Sequence, residues 1–335
     1  MKLVQIAGPQ VRRVALVDGE KLRLLDGKPS SDVYSLALKA AENDGNLSSA
    51  VQNSVGSEQL DYLTVYEGNS PWRLLPAFDH PSDPAHCIVS GTGLTHKASA
   101  ENRAAMHRNV NTEVTDSIRM YRMGLEGGSP APGKVGTQPE WFFKGDGSIL
   151  RAHGELLEIP PYGCDGGEEP EIAGMYVIGR GGEAIRVGFA VGNEFSDHRM
   201  EKMNYLYLAP SKLRNCSIGP ELIVGEIEFE DVPGTVSILR NGATLWSTNI
   251  WTGQKHMSHS LANLEHHHFK YPSHRRPGDA HVHFFGADAF SFGEGIQLES
   301  GDVMEISFPS FGRPLRNTLQ TSKRPEELVG IKVLQ

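Results

Sequence analysis

The stretch EPEIAGMYVIG (residues 169–179) places two glutamates, Glu169 and Glu171, ahead of an apolar run that predicts a β-strand. Side chains at positions i and i+2 of an extended segment point to the same face. The next apolar segment, GFAVGNEF (residues 188–195), brings a third acid, Glu194. Three converging carboxylates repel one another unless a cation lies between them, and hard oxygen ligands suit Mg²⁺ or Mn²⁺. The spacing therefore predicts a metal site, although solvated acids at a turn would give the same pattern.

The composition is that of an ordinary globular protein. The 335 residues are 39% hydrophobic and 22% charged, and the net charge of -9 without basic clusters argues against nucleic acid as a partner. No run approaches the roughly 20 apolar residues of a membrane span, and no secretory signal begins the sequence, so we expect a cytoplasmic protein. Cys87, Cys164 and Cys216 are widely spaced and odd in number, which indicates neither a disulfide framework nor a zinc ribbon.

The length of the chain predicts one large domain and one smaller domain. Residues 1–85 are expected to form a small β-rich N-terminal domain, with a hairpin at Asp18-Gly19 and a helix over residues 31–44. The Pro- and Asp-rich residues 76–87 are interpreted as the linker into a main domain over residues 86–335.

The main domain is predicted to be mixed α/β and mainly β. Thirty-seven glycines and 20 prolines favour short strands separated by turns over alternating βαβ units. Strands are predicted at residues 87–90, 140–144, 171–178, 184–191, 221–229, 235–240, 282–286 and 303–308. Helices packed outside them are predicted at residues 98–108, 112–122 and 253–266.

Five motifs in order resemble the fumarylacetoacetate hydrolase superfamily. In chain order they are PEWFFK (residues 139–144), the E-x-E strand ending in VIG (residues 169–179) together with the next strand ending in Asn193-Glu194, Lys212 ahead of an Ile218-Gly219-Pro220 turn, the segment at residues 301–303, and the segment at residues 312–317. The resemblance covers about residues 87–320. It implies a β-roll or sandwich-like catalytic domain, often a homodimer, with one Mg²⁺ (or Mn²⁺) at the three acids. The third ligand in that superfamily is usually Asp, whereas this chain has Glu194.

The stretch GLTHKASAENR (residues 93–103) distinguishes two branches of the superfamily. Hydrolases of acylpyruvate type have His and Glu where this chain has Ser99 and Asn102. A dehydratase branch acting on 2-keto-3-deoxy sugar acids resembles the chain at Thr95, Ser99, Glu101 and Arg103. The resemblance thus implies a lyase that converts a 2-keto-3-deoxy-pentonate, a small 2-keto acid, to 2,5-dioxopentanoate in pentose catabolism. The alternatives are a hydrolase that cleaves a 2,4-diketo acid to pyruvate and a second acid, and a non-catalytic sugar-acid-binding protein.

Elimination from a 2-keto acid needs one group that removes the C3 proton and another that protonates the departing C4 hydroxyl. The resemblance implies that Glu140 and Lys212 are this pair, without deciding which is the base. A divalent cation lowers the pKa of a buried lysine nearby, which favours Lys212 as base and Glu140 as acid. The residues implied in substrate binding are Lys144, Ser99, His96, and Asn317 with Thr318 in a late turn.

Two groups of histidines resemble metal-binding tracts. His266, His267 and His268 are adjacent at a predicted helix end, so they cannot all face one ion. His281 and His283 alternate along a predicted strand and share one face. Packing or hydrogen bonding is the expected role of these strand histidines.

Overall fold

The computed structural model of the protein describes residues 1–43, 45–106 and 115–334. Within these residues the chain forms seventeen strands. In chain order they are β1 (Lys2–Ala7), β2 (Arg12–Asp18), β3 (Lys21–Leu25), β4 (Val55–Asp61), β5 (Arg73–Leu74), β6 (Cys87–Gly91), β7 (Phe142–Asp146), β8 (Leu150–Arg151), β9 (Leu156–Ile159), β10 (Pro170–Ile178), β11 (Ala184–Asn193), β12 (Cys216–Val224), β13 (Val232–Arg240), β14 (Ala243–Thr252), β15 (Ala280–Phe284), β16 (Val303–Ser307) and β17 (Leu315–Thr321).

The helices lie on the outside of the sheets, and most are short. They are α1 (Val33–Glu42), α2 (Leu47–Gln52), α3 (Tyr62–Tyr66), α4 (Lys97–Met106), α5 (Asp116–Gly127), α6 (His198–Met203), α7 (Leu208–Lys212) and α8 (Leu261–Phe269). Two of them confirm the helices predicted around residues 98–108 and 112–122, whose facing ends, residues 107–114, lie outside the described residues. In the part of the chain that the structure describes, no helix is both long and apolar enough to span a bilayer.

The described strands form two sheets. The larger sheet has twelve strands in the order β4-β3-β2-β1-β12-β11-β10-β15-β6-β7, with β5 paired to β1 and β8 paired to β12. The second sheet has the order β14-β13-β16-β17-β9. Most neighbouring pairs are antiparallel, and β15 with β6, β12 with β8, and β17 with β9 are the parallel pairs. The mixed, mainly β fold expected from the sequence is confirmed.

The apolar cores lie on both faces of the larger sheet. Every residue of β10 is buried, which is why its sequence after Glu171 is a continuous apolar run rather than an alternation of polar and apolar residues. On one face, Ile172 and Phe189 pack with Ile306 and Leu315 of the second sheet. On the other face, residues such as Met175 pack in the cluster that includes helix α1. The strands that carry the acids are therefore held rigidly from both sides.

The N-terminal strands continue the larger sheet at its end. Strand β1 pairs with β12 through Lys2 opposite Ile223 and Leu3 opposite Leu222. The hairpin at Asp18-Gly19 joins β2 to β3, as predicted, and these strands have an apolar cluster of their own with Tyr62 and Tyr66. The division into domains at residue 85 stays a prediction, and the three acids all lie beyond it.

Three segments of the second half differ from the sequence prediction. Strand β12 begins at Cys216 rather than at residue 221, so Gly219-Pro220 lies inside a strand and not in a turn. Pro220 has no N–H to donate, and the register of β11 against β12 shifts between Ala190 and Gly192, opposite this position. The expected late turn at residues 312–317 gives way to strand β17 at Leu315, and α8 begins only at Leu261.

Four buried or half-buried histidines, one of them on α8, pack against one another. His268 Nε2 lies 2.9 Å from His281 Nδ1, and the His268 ring stacks on His283 with centroids 4.3 Å apart. His274 lies 5.0 Å from His268 between ring centroids, and the Ser90 hydroxyl lies 2.9 Å from His283 Nδ1. Burial, followed by repulsion from neighbouring histidines, lowers the pKa of His281 to about 3 and that of His283 to about 3. The strand histidines are therefore neutral packing residues.

We expect the free energy of unfolding to decrease as the pH falls below about 6.5, where histidines of an unfolded chain become protonated. Folded His281 and His283 stay neutral down to a pKa of about 3. The stabilisation from each neutral histidine is complete above pH 6.5 and decreases toward pH 3. At pH 5 the decrease amounts to about 2 kcal/mol per histidine. Chemical denaturation at several pH values measures this dependence.

Below pH 6, the substitution His283→Gln should reduce the slope of the free energy of unfolding against pH by about 1.4 kcal/mol per pH unit. This difference corresponds to one proton fewer taken up on unfolding. The matched control is His266→Gln, because His266 lies on the exposed side of the same histidine-rich region. A slope that His283→Gln leaves unchanged would contradict the proposed origin of the acid sensitivity.

Candidate metal centre and acid–base site

The antiparallel pairing of β10 with β11 brings the three predicted acids together. Pro170 lies opposite Asn193 in this pair, so the beginning of β10 is beside the end of β11. Glu169 and Glu171 flank Pro170, and Glu194 follows Asn193 directly. One carboxylate oxygen of each glutamate lies within 4.8 Å of the others, and all three residues are buried. The convergence predicted from the spacing is confirmed.

Glu171 is the acid with the fewest partners in this group. Its Oε2 accepts a hydrogen bond of 2.6 Å from the backbone N–H of Gly286. Its Oε1 is buried without a hydrogen-bond partner among the described residues. Burial raises the pKa of Glu171 well above its ordinary value, and repulsion from Glu194 and Glu169 raises it further. A buried, unpaired carboxylate oxygen is costly, and a cation would remove that cost.

Lysines balance the negative charge of the other two acids. Lys212 Nζ donates to Glu169 Oε1 at 2.6 Å and to Glu194 Oε2 at 2.8 Å. Lys144 Nζ lies 2.5 Å from Glu194 Oε1 and donates to the carbonyl of Phe195 at 2.7 Å. Both lysine side chains are fully buried. Lys144 thus forms an ion pair with an acid of the metal group, and its role in substrate binding stays a prediction.

Three buried carboxylates are a donor set of the kind that Mg²⁺ accepts, since this ion prefers carboxylate oxygens and retains several waters. The unpaired Oε1 of Glu171 points to the same conclusion, because it has a lone pair available and none of the described residues donates to it. The residues present therefore fit a divalent cation. Among the described residues, this is the group of acids, histidines and cysteines that could hold a metal ion.

The pKa of Lys212 is shifted in the direction opposite to the one expected beside a cation. Burial lowers the pKa of Lys212, but the carboxylates of Glu169, Glu194 and Glu201 together raise it well above its ordinary value. The same attraction lowers the pKa of Glu169. Burial raises this pKa, but Lys212 and His198 hold it well below the usual range. In the protein alone, Lys212 is therefore an ammonium.

Glu140 lies in a second ion pair next to this group. Arg103 Nη1 donates to both carboxylate oxygens of Glu140 at 2.7 Å, and the Tyr205 hydroxyl donates to Oε1 at 3.3 Å. Burial lowers the pKa of Arg103, but Glu140, Glu201 and Glu169 raise it above its ordinary value. These two charge-assisted hydrogen bonds hold the Glu140 carboxylate in one orientation.

The other predicted residues lie in different surroundings. Ser99 is buried on α4, one turn before Arg103, and so lies on the same side of that helix. His96 is buried with Nδ1 2.9 Å from the Thr95 hydroxyl and Nε2 3.1 Å from the Thr252 hydroxyl. Burial lowers the pKa of His96 to about 3, so this histidine is neutral. Both of its nitrogens are occupied by hydroxyl groups of the protein.

Asn317 and Thr318 lie in strand β17 of the second sheet rather than in a turn. The Asn317 amide accepts from the Ser217 hydroxyl at 2.5 Å and donates to the carbonyls of Ala152 and Glu155, each at 2.9 Å. These contacts connect β17 to β12 and to the segment before β9. Thr318 pairs with β9 and β16.

Two further residues of the site were not predicted from the sequence. His198 Nε2 lies 3.1 Å from Glu169 Oε1, and its ring stacks on Phe290 with centroids 4.7 Å apart. Glu201 Oε2 lies 3.4 Å from Arg103, and its Oε1 lies 3.3 Å from Lys212. Both are on α6, the short helix that follows Glu194. Their position within seven residues of a metal-group acid was the available signal.

No family model matches the sequence, and no curated protein sequence matches it. Solved structures do match, and they have the fold of the fumarylacetoacetate hydrolase superfamily, as expected. A 2-keto-3-deoxyarabinonate dehydratase matches with a TM-score of 0.71 and 18% identity, over 97% of this chain and 100% of that chain. The 2-keto-3-deoxy-D-arabinonate dehydratase complexed with magnesium and 2,5-dioxopentanoate matches with a TM-score of 0.70 and the same identity and coverage.

Solved structures of isomerases match with lower TM-scores. The 5-carboxymethyl-2-hydroxymuconate delta-isomerase from Mycobacterium smegmatis has a TM-score of 0.56 and 16% identity, over 96% of this chain and 100% of that chain. At these identities the comparisons establish the fold. The chemistry of this chain has to be argued from its own residues.

We expect Mg²⁺ to stabilise the folded protein through Glu169, Glu171 and Glu194. Addition of the ion at about 100 times its Kd adds about 2.7 kcal/mol, which for a chain of this length raises the Tm by about 4 °C. Glu171→Gln should abolish this rise, because it removes the charge of the acid that has a free oxygen. Thermal unfolding with and without Mg²⁺ or Mn²⁺ measures the effect.

The matched control is Glu168→Gln. Glu168 is equally buried, but its carboxylate accepts from the backbone N–H and hydroxyl of Ser291 instead of joining the three acids. The Tm of Glu168→Gln should still rise with Mg²⁺. A wild-type protein with no response to either ion, or a Glu171→Gln variant with the full response, would refute the metal site.

Proposed function

We propose that the protein is a metal-dependent hydro-lyase that dehydrates a 2-keto-3-deoxy sugar acid. The substrate we infer is a 2-keto-3-deoxy-pentonate, and the product is 2,5-dioxopentanoate. The observation that supports this proposal is the position of Lys212 and of the Glu140–Arg103 ion pair beside three convergent acids. The likeness to a dehydratase whose structure contains magnesium and 2,5-dioxopentanoate adds support.

The reaction removes one molecule of water. Loss of the C3 proton and the C4 hydroxyl forms a C3–C4 double bond. Loss of a C5 proton and return of a proton to C3 then move the double bond to C4–C5, and the resulting enol gains a proton at C4 and loses its hydroxyl proton to become the C5 aldehyde of the product. A Mg²⁺ held by Glu169, Glu171 and Glu194 would supply a Lewis acid for the charge that develops on the C2 oxygen. In the elimination, protein groups have to accept the C3 proton and deliver a proton to the departing C4 hydroxyl.

The contacts of Glu140 favour it as the base. Arg103 donates to both of its oxygens and fixes the carboxylate in the site, so we assign Glu140 as the group that accepts the C3 proton. The ammonium of Lys212 has protons to donate, and we assign it as the acid that protonates the departing hydroxyl. This assignment is opposite to the one that the sequence alone favoured.

The exclusion of bulk water from these groups is part of the proposal. Glu140, Lys212 and Arg103 are all buried, and so is Ser99 on the same helix as Arg103. In a buried site each charged group acts more strongly on a substrate than it does in water. We further propose that the protein acts in pentose catabolism, in the cytoplasm and as a homodimer, with Lys144 and Ser99 close to the bound acid.

The alternative, hydrolysis of a 2,4-diketo acid, needs a group that activates water. The chain has Ser99 and Asn102 where the hydrolase pattern has histidine and glutamate, and both nitrogens of the nearby His96 are occupied by hydroxyls. Incubation with 2-keto-3-deoxy acids and 2,4-diketo acids, with and without Mg²⁺, separates the two functions. Formation of 2,5-dioxopentanoate supports the lyase, whereas formation of pyruvate supports the hydrolase.

The two proton transfers can be separated by exchange of the C3 protons with deuterated solvent. Glu140→Gln should abolish both exchange and product formation, because the base is lost. Lys212→Met should retain exchange while product formation falls by about 10²–10⁴-fold, since only the acid is lost. NMR of the substrate measures exchange, and circular dichroism checks that each variant is folded.

The reverse pattern, with exchange lost in Lys212→Met and retained in Glu140→Gln, would interchange the two assignments. Turnover within tenfold of the wild type in both variants would refute the lyase mechanism itself.

A further inference from the structure

Glu201 lies between the two cations of the site. Its side chain is buried, with Oε1 3.3 Å from Lys212 Nζ and Oε2 3.4 Å from Arg103 Nη2. The Ser211 hydroxyl lies 3.0 Å from Oε1 and shares its proton between this oxygen and the carbonyl of Leu208, 2.7 Å away. Of the acids in the described ion pairs, Glu201 is the one that contacts both Arg103 and Lys212.

These contacts form a row of alternating charge. Glu140 pairs with Arg103, Arg103 pairs with Glu201, Glu201 pairs with Lys212, and Lys212 pairs with Glu169. Without Glu201, two buried cations would face each other with no anion between them, and their repulsion would be strong in a buried environment. The carboxylate therefore sets the separation of Arg103 and Lys212.

Glu201 is also independent of the three convergent acids. It is not a member of the metal group, and it lies on α6, seven residues after Glu194. Glu169 and Glu194 have to share their negative charge with any cation that they hold, which weakens their attraction for Lys212. Glu201 lies outside the metal group, so its attraction for Lys212 is not shared with a cation held there.

We propose that Glu201 is a positioning residue, which holds the Lys212 ammonium and, through Arg103, the Glu140 carboxylate at the separation that the two proton transfers require. This inference rests on the proposed lyase function for its kinetic consequence. Its structural claim, that Glu201 orders Lys212, can be measured without any substrate.

The substitution Glu201→Gln removes the charge and keeps the shape of the side chain. In lysine-labelled protein, the ¹H–¹⁵N signal of the Lys212 ammonium is assigned by its absence from Lys212→Met. In Glu201→Gln we expect the hydrogen exchange of this ammonium to accelerate about tenfold or more, because its local order is lost. Glu201→Asp retains the charge and should recover part of the protection.

The kinetic expectation is a loss of kcat of about tenfold or more in Glu201→Gln, with KM within about threefold, as for a group that acts on the transition state rather than on binding. Asp302→Asn is the matched control, since Asp302 is a buried partner of Arg240 in the second sheet. It should lower the Tm and leave kcat within about threefold.

Unchanged ammonium exchange in Glu201→Gln would overturn the proposal, and so would an equal loss of kcat in Asp302→Asn, which would indicate general destabilisation. If Glu201→Gln does not fold, Glu201→Asp is compared with the wild type in both measurements, and wild-type values there refute the role. If the wild type dehydrates no 2-keto-3-deoxy acid, the lyase function fails and the ammonium exchange alone decides the role of Glu201.

Discussion

Burial of three carboxylates at one point is the constraint on which the arrangement of this protein depends. Antiparallel pairing of β10 with β11 brings Glu169, Glu171 and Glu194 together in an interior that excludes water. Such a concentration of negative charge is stable only when cations and hydrogen-bond donors surround it. Lys144, Lys212 and the backbone N–H of Gly286 supply these partners from three different parts of the chain.

The need to supply these cations is connected to the shape of the larger sheet. Lys144 is on β7, at the far end of the strand order, and yet it contacts Glu194 after β11. Strands β10, β15 and β6 lie between them, so the sheet has to curl for this contact to form. The second sheet covers the outer face of the same strands and packs Ile306 and Leu315 against them.

The second ion pair shows why charge has to be considered for the whole site. Arg103 comes from α4 and Glu140 from the segment before β7, and neither contacts the three acids through a hydrogen bond in the described residues. Glu201 connects them to Lys212. The charge states of Arg103 and Lys212 consequently depend on partners that are far away in sequence, which spacing along the chain does not reveal.

Some features could be predicted from the sequence because they depend on neighbouring residues. The alternation of side chains along a strand places Glu169 and Glu171 on one face, and the apolar runs after and before the acids specify β10 and β11. The hairpin at Asp18-Gly19 and the helix α1 are local in the same sense. The ordered motifs of the main domain were sufficient to indicate the fold.

Other features were decided only by the tertiary structure. Gly219-Pro220 suggests a turn, but pairing with a shifted register in β11 includes it in β12. His96 and Asn317 have polar side chains suited to a substrate, but packing provides each with hydroxyl or carbonyl partners from distant residues. The roles of His198, Glu201 and Lys144 depend on which charges lie opposite them across strands and helices. Because electrostatic partners are set by distance in space, spacing along the chain alone could not assign them.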